Sequence, residues 1–108
     1  METKRIDNQT VIVHLNKTVD EEDAPQLKKL LLGFYDEGVQ HIFVDFSVTE
    51  LIHKTCLMPI IICHRQLMER GGELKIIHVK GKYVKHLFEM LELHRVVPIE
   101  NSGKQEKS

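Results

Sequence analysis

The densest run of reactive side chains in this sequence is His53-Lys54-Thr55-Cys56, where an imidazole, an amine, a hydroxyl and a thiol follow one another. A thiol at a helix start can be acidified by its surroundings, and His53 precedes Cys56 closely enough to serve as its base, so a thiol-dependent enzyme is one reading. No third group that would orient the imidazole is identifiable, and a small residue packed at a helix start accounts for Cys56 equally well. Thr55 supports a different chemistry. It stands where a loop turns into an apolar helix, so its hydroxyl is expected to cap free N–H groups there, an interaction of about 1 kcal/mol. A phosphate on the same oxygen would bring about −1.5 to −2 charges to the positive end of a helix dipole, which is tolerable locally and would alter any docking surface.

Other chemistries find less support. The chain has 7 histidines and 2 cysteines, but neither an H-x-x-x-H nor a C-x-x-C spacing, and the adjacent Cys63 and His64 point in different helical directions, so no metal is expected. Cys56 and Cys63 fall on one helix about 10 Å apart along its axis, beyond disulfide reach, and are expected to be reduced. There is no glycine-rich phosphate loop, which disfavours nucleotide-dependent catalysis, and no cofactor is expected. Lys75, Lys80, Lys82 and Lys85 form a basic stretch whose one interleaved aromatic is Tyr83, so it reads as a solvated face and not as a nucleic-acid site.

The elements that must position these residues are legible from periodicity. Val11 to Leu15 reads as a strand with Val11, Val13 and Leu15 on one face, and Thr3 to Asp7 is placed to pair with it across a turn-rich Asp7-Asn8-Gln9-Thr10. The acidic Asp20 to Asp23 and Ala24-Pro25 announce a helix whose apolar stripe is Leu27, Leu30, Leu31 and Phe34 and whose stop is Gly38. His41 to Phe46 reads as a strand, Thr55 to Arg70 as a helix with Pro59 in its first turn and Gly71-Gly72 beyond its end, and Leu74 to Val79 as a further strand. Val84, Leu87, Phe88 and Leu91 mark a last helix, and Val96 to Ile99 a short edge strand or capping segment. Strands alternating with helices, each strand apolar on one face, predict an α/β layer fold with helices mainly on one face of the sheet.

Composition sets the outer bounds. With 108 residues, 42% hydrophobic and 29% charged, the sequence predicts one globular domain over residues 1–100, followed by a mobile polar tail over 101–108. A formal net charge of −1 provides no global field to attract nucleic acid or anionic lipid. The longest apolar run, Leu57 to Cys63, is far short of the roughly 20 residues that span a bilayer, and the charged N-terminal residues do not resemble a secretory signal. No membrane insertion is expected, and the cytoplasm is the expected compartment.

The order of these elements and several local strings resemble the STAS domain, the family of bacterial anti-sigma factor antagonists and sulfate-transporter tails, over Val11 to Ile99. VIVHLNKTVD (11–20) is similar to the family strand ending in G-x-(L/I/V)-D, with Asp20 at the acidic position and Lys17 in place of the glycine. IFVDFS (42–47) resembles its hydrophobic strand with Asp45 and Ser47, GGELKIIHV (71–79) its glycine stop and following strand, and Val84 to Ile99 its last helix and exit. The family loop D-S-(S/T)-G-L corresponds to His53-Lys54-Thr55-Cys56-Leu57: His53 replaces the aspartate, Lys54 the first serine and Cys56 the glycine, while Thr55 keeps a hydroxyl at the phosphoacceptor position.

The resemblance implies a STAS-like mixed sheet of four to five strands and a protein-binding switch that is not an enzyme. It implies docking on a kinase-like anti-sigma factor or another signalling subunit, release by phosphorylation of Thr55, and resetting by a serine/threonine phosphatase. By family position the contact surface comprises Asp20, His53, Lys54, Thr55, Cys56 and Met58. The basic Lys54 suits an acidic partner patch. The alternatives are a non-phosphorylated STAS scaffold, for instance a subunit of a stress-signalling or lipid-transport complex, and the thiol enzyme using Cys56 with His53. Homo-oligomerisation, the direction of regulation and the partner's identity stay open.

Overall fold

The computed structural model describes residues 1–100 of the chain, so the polar tail expected over 101–108 lies outside the described residues. Strand β1 (Glu2–Asp7) runs antiparallel to β2 (Thr10–His14), with Glu2 opposite His14 and an irregular register between Arg5 and Asp7. The turn between them closes where the Gln9 N–H donates to Asp7 Oδ1 at 2.9 Å, as its Asp-Asn-rich sequence predicts. Every residue of β1 is exposed, which is why it carries no apolar period. It is held by its backbone ladder and by Arg5, which pairs with Glu37 at 2.8 Å and lies over the Phe34 ring.

From β2 the chain winds through α1 (Ala24–Glu37), β4 (His41–Asp45), α2 (Leu57–Met68), β6 (Glu73–Ile77), α3 (Lys82–Met90) and β7 (Ile99–Glu100). The sheet order is β1-β2-β4-β6-β7, and every pair after the first is parallel. The fold is therefore a mixed five-stranded α/β sheet. Each parallel crossover steps in the same direction, and because such crossovers are right-handed, all the helices fall on one face. The strand pattern matches: Val11, Val13, Leu15, Ile42, Val44, Phe46, Leu74 and Ile76 are buried, while Ile12, Phe43, Lys75 and Ile77 on the opposite face are only half-buried.

The helices close this core with part of each predicted stripe, since Leu30 and Leu87 are only half-buried and Leu91, beyond the end of α3, is exposed. Leu27, Leu31 and Phe34 are buried on α1, which ends at Gly38 in the left-handed conformation (φ 96°). Arg70, just after α2, ties the end of α1 down: its guanidinium donates to Tyr35 O at 2.7 Å, Val39 O at 2.9 Å and Gln40 Oε1 at 2.8 Å, and stacks on the Tyr35 ring. Phe88 of α3 meets the ring of Phe46 edge-on, centroids 5.3 Å apart.

Several boundaries differ from expectation for local reasons. Helix α2 starts at Leu57, because residues Lys54–Cys56 form a separate 3₁₀ turn, and it stops at Met68 instead of reaching Arg70, since a turn through Gly71 (φ 88°) follows. Strand β6 ends at Ile77, where His78 takes a left-handed conformation (φ 60°). A pair of two-residue parallel strands, β3 (Thr18–Val19) and β5 (Leu51–Ile52), is too short to show a period in sequence, yet it positions the site.

Candidate functional site: the His53–Met58 loop

Strand β5 carries the chain from the core to the surface. Leu51 is exposed and Ile52 buried, and pairing with β3 places His53 beside Val19, whose carbonyl accepts the His53 N–H at 2.8 Å. His53 then has extended backbone (φ −77°, ψ 139°) and opens the 3₁₀ turn of Lys54, Thr55 and Cys56. The Thr55 N–H donates to His53 Nδ1 at 3.2 Å, and the Thr55 hydroxyl lies 2.8 Å from the same nitrogen. A ring nitrogen that receives a backbone N–H is an acceptor, which assigns the proton to Nε2 and makes the hydroxyl a second donor to Nδ1. Nε2 faces Glu21 Oε1 at 3.9 Å.

This corrects the expected capping role of Thr55. The cap of the turn is the imidazole of His53, and no side chain caps α2 itself. Thr55 is half-buried, and its hydroxyl is turned back onto His53.

Cys56 is corrected more strongly. Its side chain is fully buried, and its thiol donates to the Asp20 carbonyl at 3.1 Å. Burial pushes the thiol pKa up, and the nearby carboxylates of Asp23, Asp20 and Glu21 add to the shift. A buried thiol with a raised pKa lacks the acidity that a thiol nucleophile draws on, and the Cys56 side chain is not exposed at the surface. Cys63 is also buried, and its thiol is pushed up to about 11 by the same cause.

The remaining candidates surround the turn. Asp20, exposed, opens a tight acidic turn in which its N–H donates to Asp23 Oδ2 at 2.8 Å and its carbonyl accepts the Asp23 N–H at 2.9 Å. Through the Cys56 thiol that turn is fastened to the Thr55 loop. Lys54 is exposed and, among the described residues, pairs with no carboxylate. Met58 is 54% exposed one step into α2. It forms one end of an apolar groove of about 370 Å³ between α1 and α2, lined also by Lys28, Leu31, Leu32, Pro59 and Ile62. Asp20, His53, Lys54, Thr55 and Met58 therefore share one surface region, and Cys56 lies beneath it.

A second polar cluster lies at the carboxyl ends of β2 and β4. Asp45, 7% exposed, takes His14 Nδ1 at 2.7 Å on Oδ2, and accepts the Ser47 N–H at 3.0 Å and the Ser47 hydroxyl at 3.2 Å. Burial alone would raise its carboxyl pKa; the bonds from His14 and Ser47 overcome that and hold it below the usual carboxylate range. His14 had no sequence signal beyond sharing a strand face with Ile12, because only the β2–β4 register brings it opposite Asp45. The cluster fixes the start of the β4–β5 connection, where Thr49, also buried, donates to Asn16 O at 2.8 Å. Among the described residues no group of three or more His, Cys, Asp or Glu is arranged to hold a metal ion, and no helix is long and apolar enough to cross a membrane.

The family model of the STAS domain matches residues 1–105. No curated protein matches the sequence. Among solved structures, a putative anti-sigma factor antagonist from Thermotoga maritima superposes with a TM-score of 0.80 at 23% identity, covering 98% of this chain and 92% of that one. An anti-sigma factor antagonist from Mycobacterium paratuberculosis superposes with 0.78 at 15% identity, covering 92% and 82%. The Bacillus cell fate determinant SpoIIAA in its phosphorylated form superposes with 0.72 at 12% identity, covering 98% and 96%.

Proposed function

The chain belongs to the STAS domain family, and we propose that it is a cytoplasmic regulatory module of the anti-sigma factor antagonist type, docking through the His53–Met58 surface on a kinase-like anti-sigma factor and released when Thr55 is phosphorylated. The observation that carries this reading is the Thr55 hydroxyl, held by His53 Nδ1 at 2.8 Å on a turn flanked by the exposed His53, Lys54 and Met58. Support comes also from structural neighbours that are SpoIIAA in an unphosphorylated and in a phosphorylated form.

The switch is local electrostatics. Transfer joins Thr55 Oγ1 to the γ-phosphorus of ATP and breaks that phosphorus's bond to the bridging oxygen, so that ADP leaves and the hydroxyl proton is lost. The new group brings about −2 charge and no longer donates to Nδ1, so the turn loses a fixed contact as the surface gains a dianion. Glu21 and Asp23 stand in the acidic turn packed against this loop, so a dianion on Thr55 is repelled by them and pushes the loop out of its docking arrangement. Desolvating that dianion at a close interface opposes docking, and about 1.4 kcal/mol already costs tenfold in affinity. A serine/threonine phosphatase would reset the protein.

Incubating the protein with its kinase-like partner and ATP, followed by mass spectrometry, tests the assignment. Phosphate at Thr55 is expected, and none on a Thr55→Ala variant; binding without modification would reduce the protein to a constitutive adaptor. That second reading, a scaffold in a stress-signalling or lipid-transport complex, draws on the same hydrogen bond, since a hydroxyl engaged by His53 also has a structural use.

A further inference from the structure

Strand β5 lies where two oppositely charged segments meet. Through β3, its hydrogen-bonded neighbour, the chain runs directly into Asp20, Glu21, Glu22 and Asp23. Against the segment leading into β5 lies the start of α3: Gly81 approaches so closely that a Cβ there would sit 2.8 Å from the Thr49 carbonyl oxygen and 3.5 Å from Glu50 Cα. Gly81 is flanked by Lys80 and Lys82, both exposed and, like Lys54, without a carboxylate partner among the described residues. Glu50, whose Cα Gly81 approaches, is itself 3.9 Å from Lys17. On the connection between the two segments stand large apolar side chains left in solvent, Val48 at 59% and Leu51 at 50% exposure, with Tyr83 of α3 at 51%.

We infer that the docking surface is bipolar, and that it takes a protein partner with a basic patch opposite Asp20–Asp23 and an acidic segment, anchored on Val48 and Leu51, opposite Lys80 and Lys82. The charge order selects the class of partner. A nucleic acid or an anionic bilayer presents one sign throughout, so what it gains at Lys80 and Lys82 it loses at the acidic turn. A protein can present both signs in the required order, and opposite patches of this kind fix orientation and exclude wrong partners more than they add affinity. The exposed Val48 and Leu51 supply the apolar centre that such an interface needs. The inference rests on the docking reading above and extends its surface from the Thr55 loop across β5 to α3.

The test is an amide NMR titration of the isotope-labelled protein with two amphipathic peptides, one of leucine and glutamate, the other of leucine and lysine. The glutamate peptide is expected to shift the amides of Val48, Leu51, Lys80 and Lys82, and the lysine peptide those of Asp20–Asp23. A Lys80→Glu/Lys82→Glu variant, its fold verified by an unchanged amide dispersion, should bind the glutamate peptide at least roughly tenfold more weakly and the lysine peptide as before. Shifts from the glutamate peptide that avoid this region, or that survive the double substitution, overturn the inference. So do co-sedimentation with phosphatidylglycerol vesicles, binding of single-stranded RNA, or dimerisation of the protein alone through these residues. No kinase is present and Thr55 is untouched, so failure of the peptides leaves phosphorylation standing, and an unphosphorylated Thr55 leaves the peptide result standing.

Discussion

The Thr55 hydroxyl and the Thr55 backbone N–H converge on one atom, Nδ1 of His53, at 2.8 and 3.2 Å. One imidazole thereby caps the turn and orients the hydroxyl.

Replacing His53 should separate these two duties. His53→Ala removes the acceptor and is expected to destabilise the fold by about 0.5–1.5 kcal/mol, the usual range for a lost cap or hydrogen bond. His53→Asn keeps a short acceptor for the Thr55 N–H and should recover most of that loss. Urea unfolding of the three proteins measures it.

The thiols should be inert in the native state. Cys56 is fully buried with its pKa raised by burial, and Cys63 is pushed up to about 11 by burial. Iodoacetamide at neutral pH should leave both unmodified by mass spectrometry until denaturant is added. Rapid native-state alkylation of Cys56 would restore the thiol-enzyme reading.

Arg70 should be a stability residue with no part in docking. Its guanidinium serves the Tyr35 and Val39 carbonyls, Gln40 Oε1 and the Tyr35 ring together. Arg70→Ala is expected to cost about 2–3 kcal/mol, the scale of a lost charged hydrogen-bond group, and Arg70→Lys to recover little because an ammonium cannot reproduce the planar fork. Denaturant midpoints should fall while partner affinity at permissive temperature is unchanged.

Acid should weaken the fold in two stages. His64 is buried with Nδ1 accepting the Leu74 N–H at 3.1 Å, and burial holds its pKa below the ordinary value near 6.5, so the folded state resists a proton that the unfolded chain accepts. Its contribution is complete above about pH 6.5 and is lost as the pH falls from there through the folded value. Asp45, whose pKa is held down by His14 and Ser47 against its burial, contributes fully above about pH 3.9 and loses that contribution as the pH falls through its folded value. Thermal unfolding across pH should show both steps. His64→Gln should flatten the first alone, and His14→Ala should weaken the second.

Much of this architecture was legible in the sequence. The alternation of Val11, Val13 and Leu15, and of Ile42, Val44 and Phe46, gave the strands with their buried faces, and the Leu27, Leu31 and Phe34 stripe with Gly38 gave α1. Strands β3 and β5 were not legible, since two residues carry no period and their pairing depends on distant chain. The site was half legible. Thr55 stood out by its position before an apolar helix, but the cap belongs to His53, and histidine is outside the usual set of capping residues. That Cys56 faces the Asp20 carbonyl, and that His14 meets Asp45, depends on packing and register that no local pattern reveals.

One phosphate on Thr55 is expected to govern docking. Isothermal titration of the kinase-like partner with unmodified protein and with protein carrying phosphate on Thr55 tests it directly. Clear binding of the unmodified form is expected, with an affinity at least roughly tenfold lower for the phosphorylated form. Equal affinities for the two forms would contradict it.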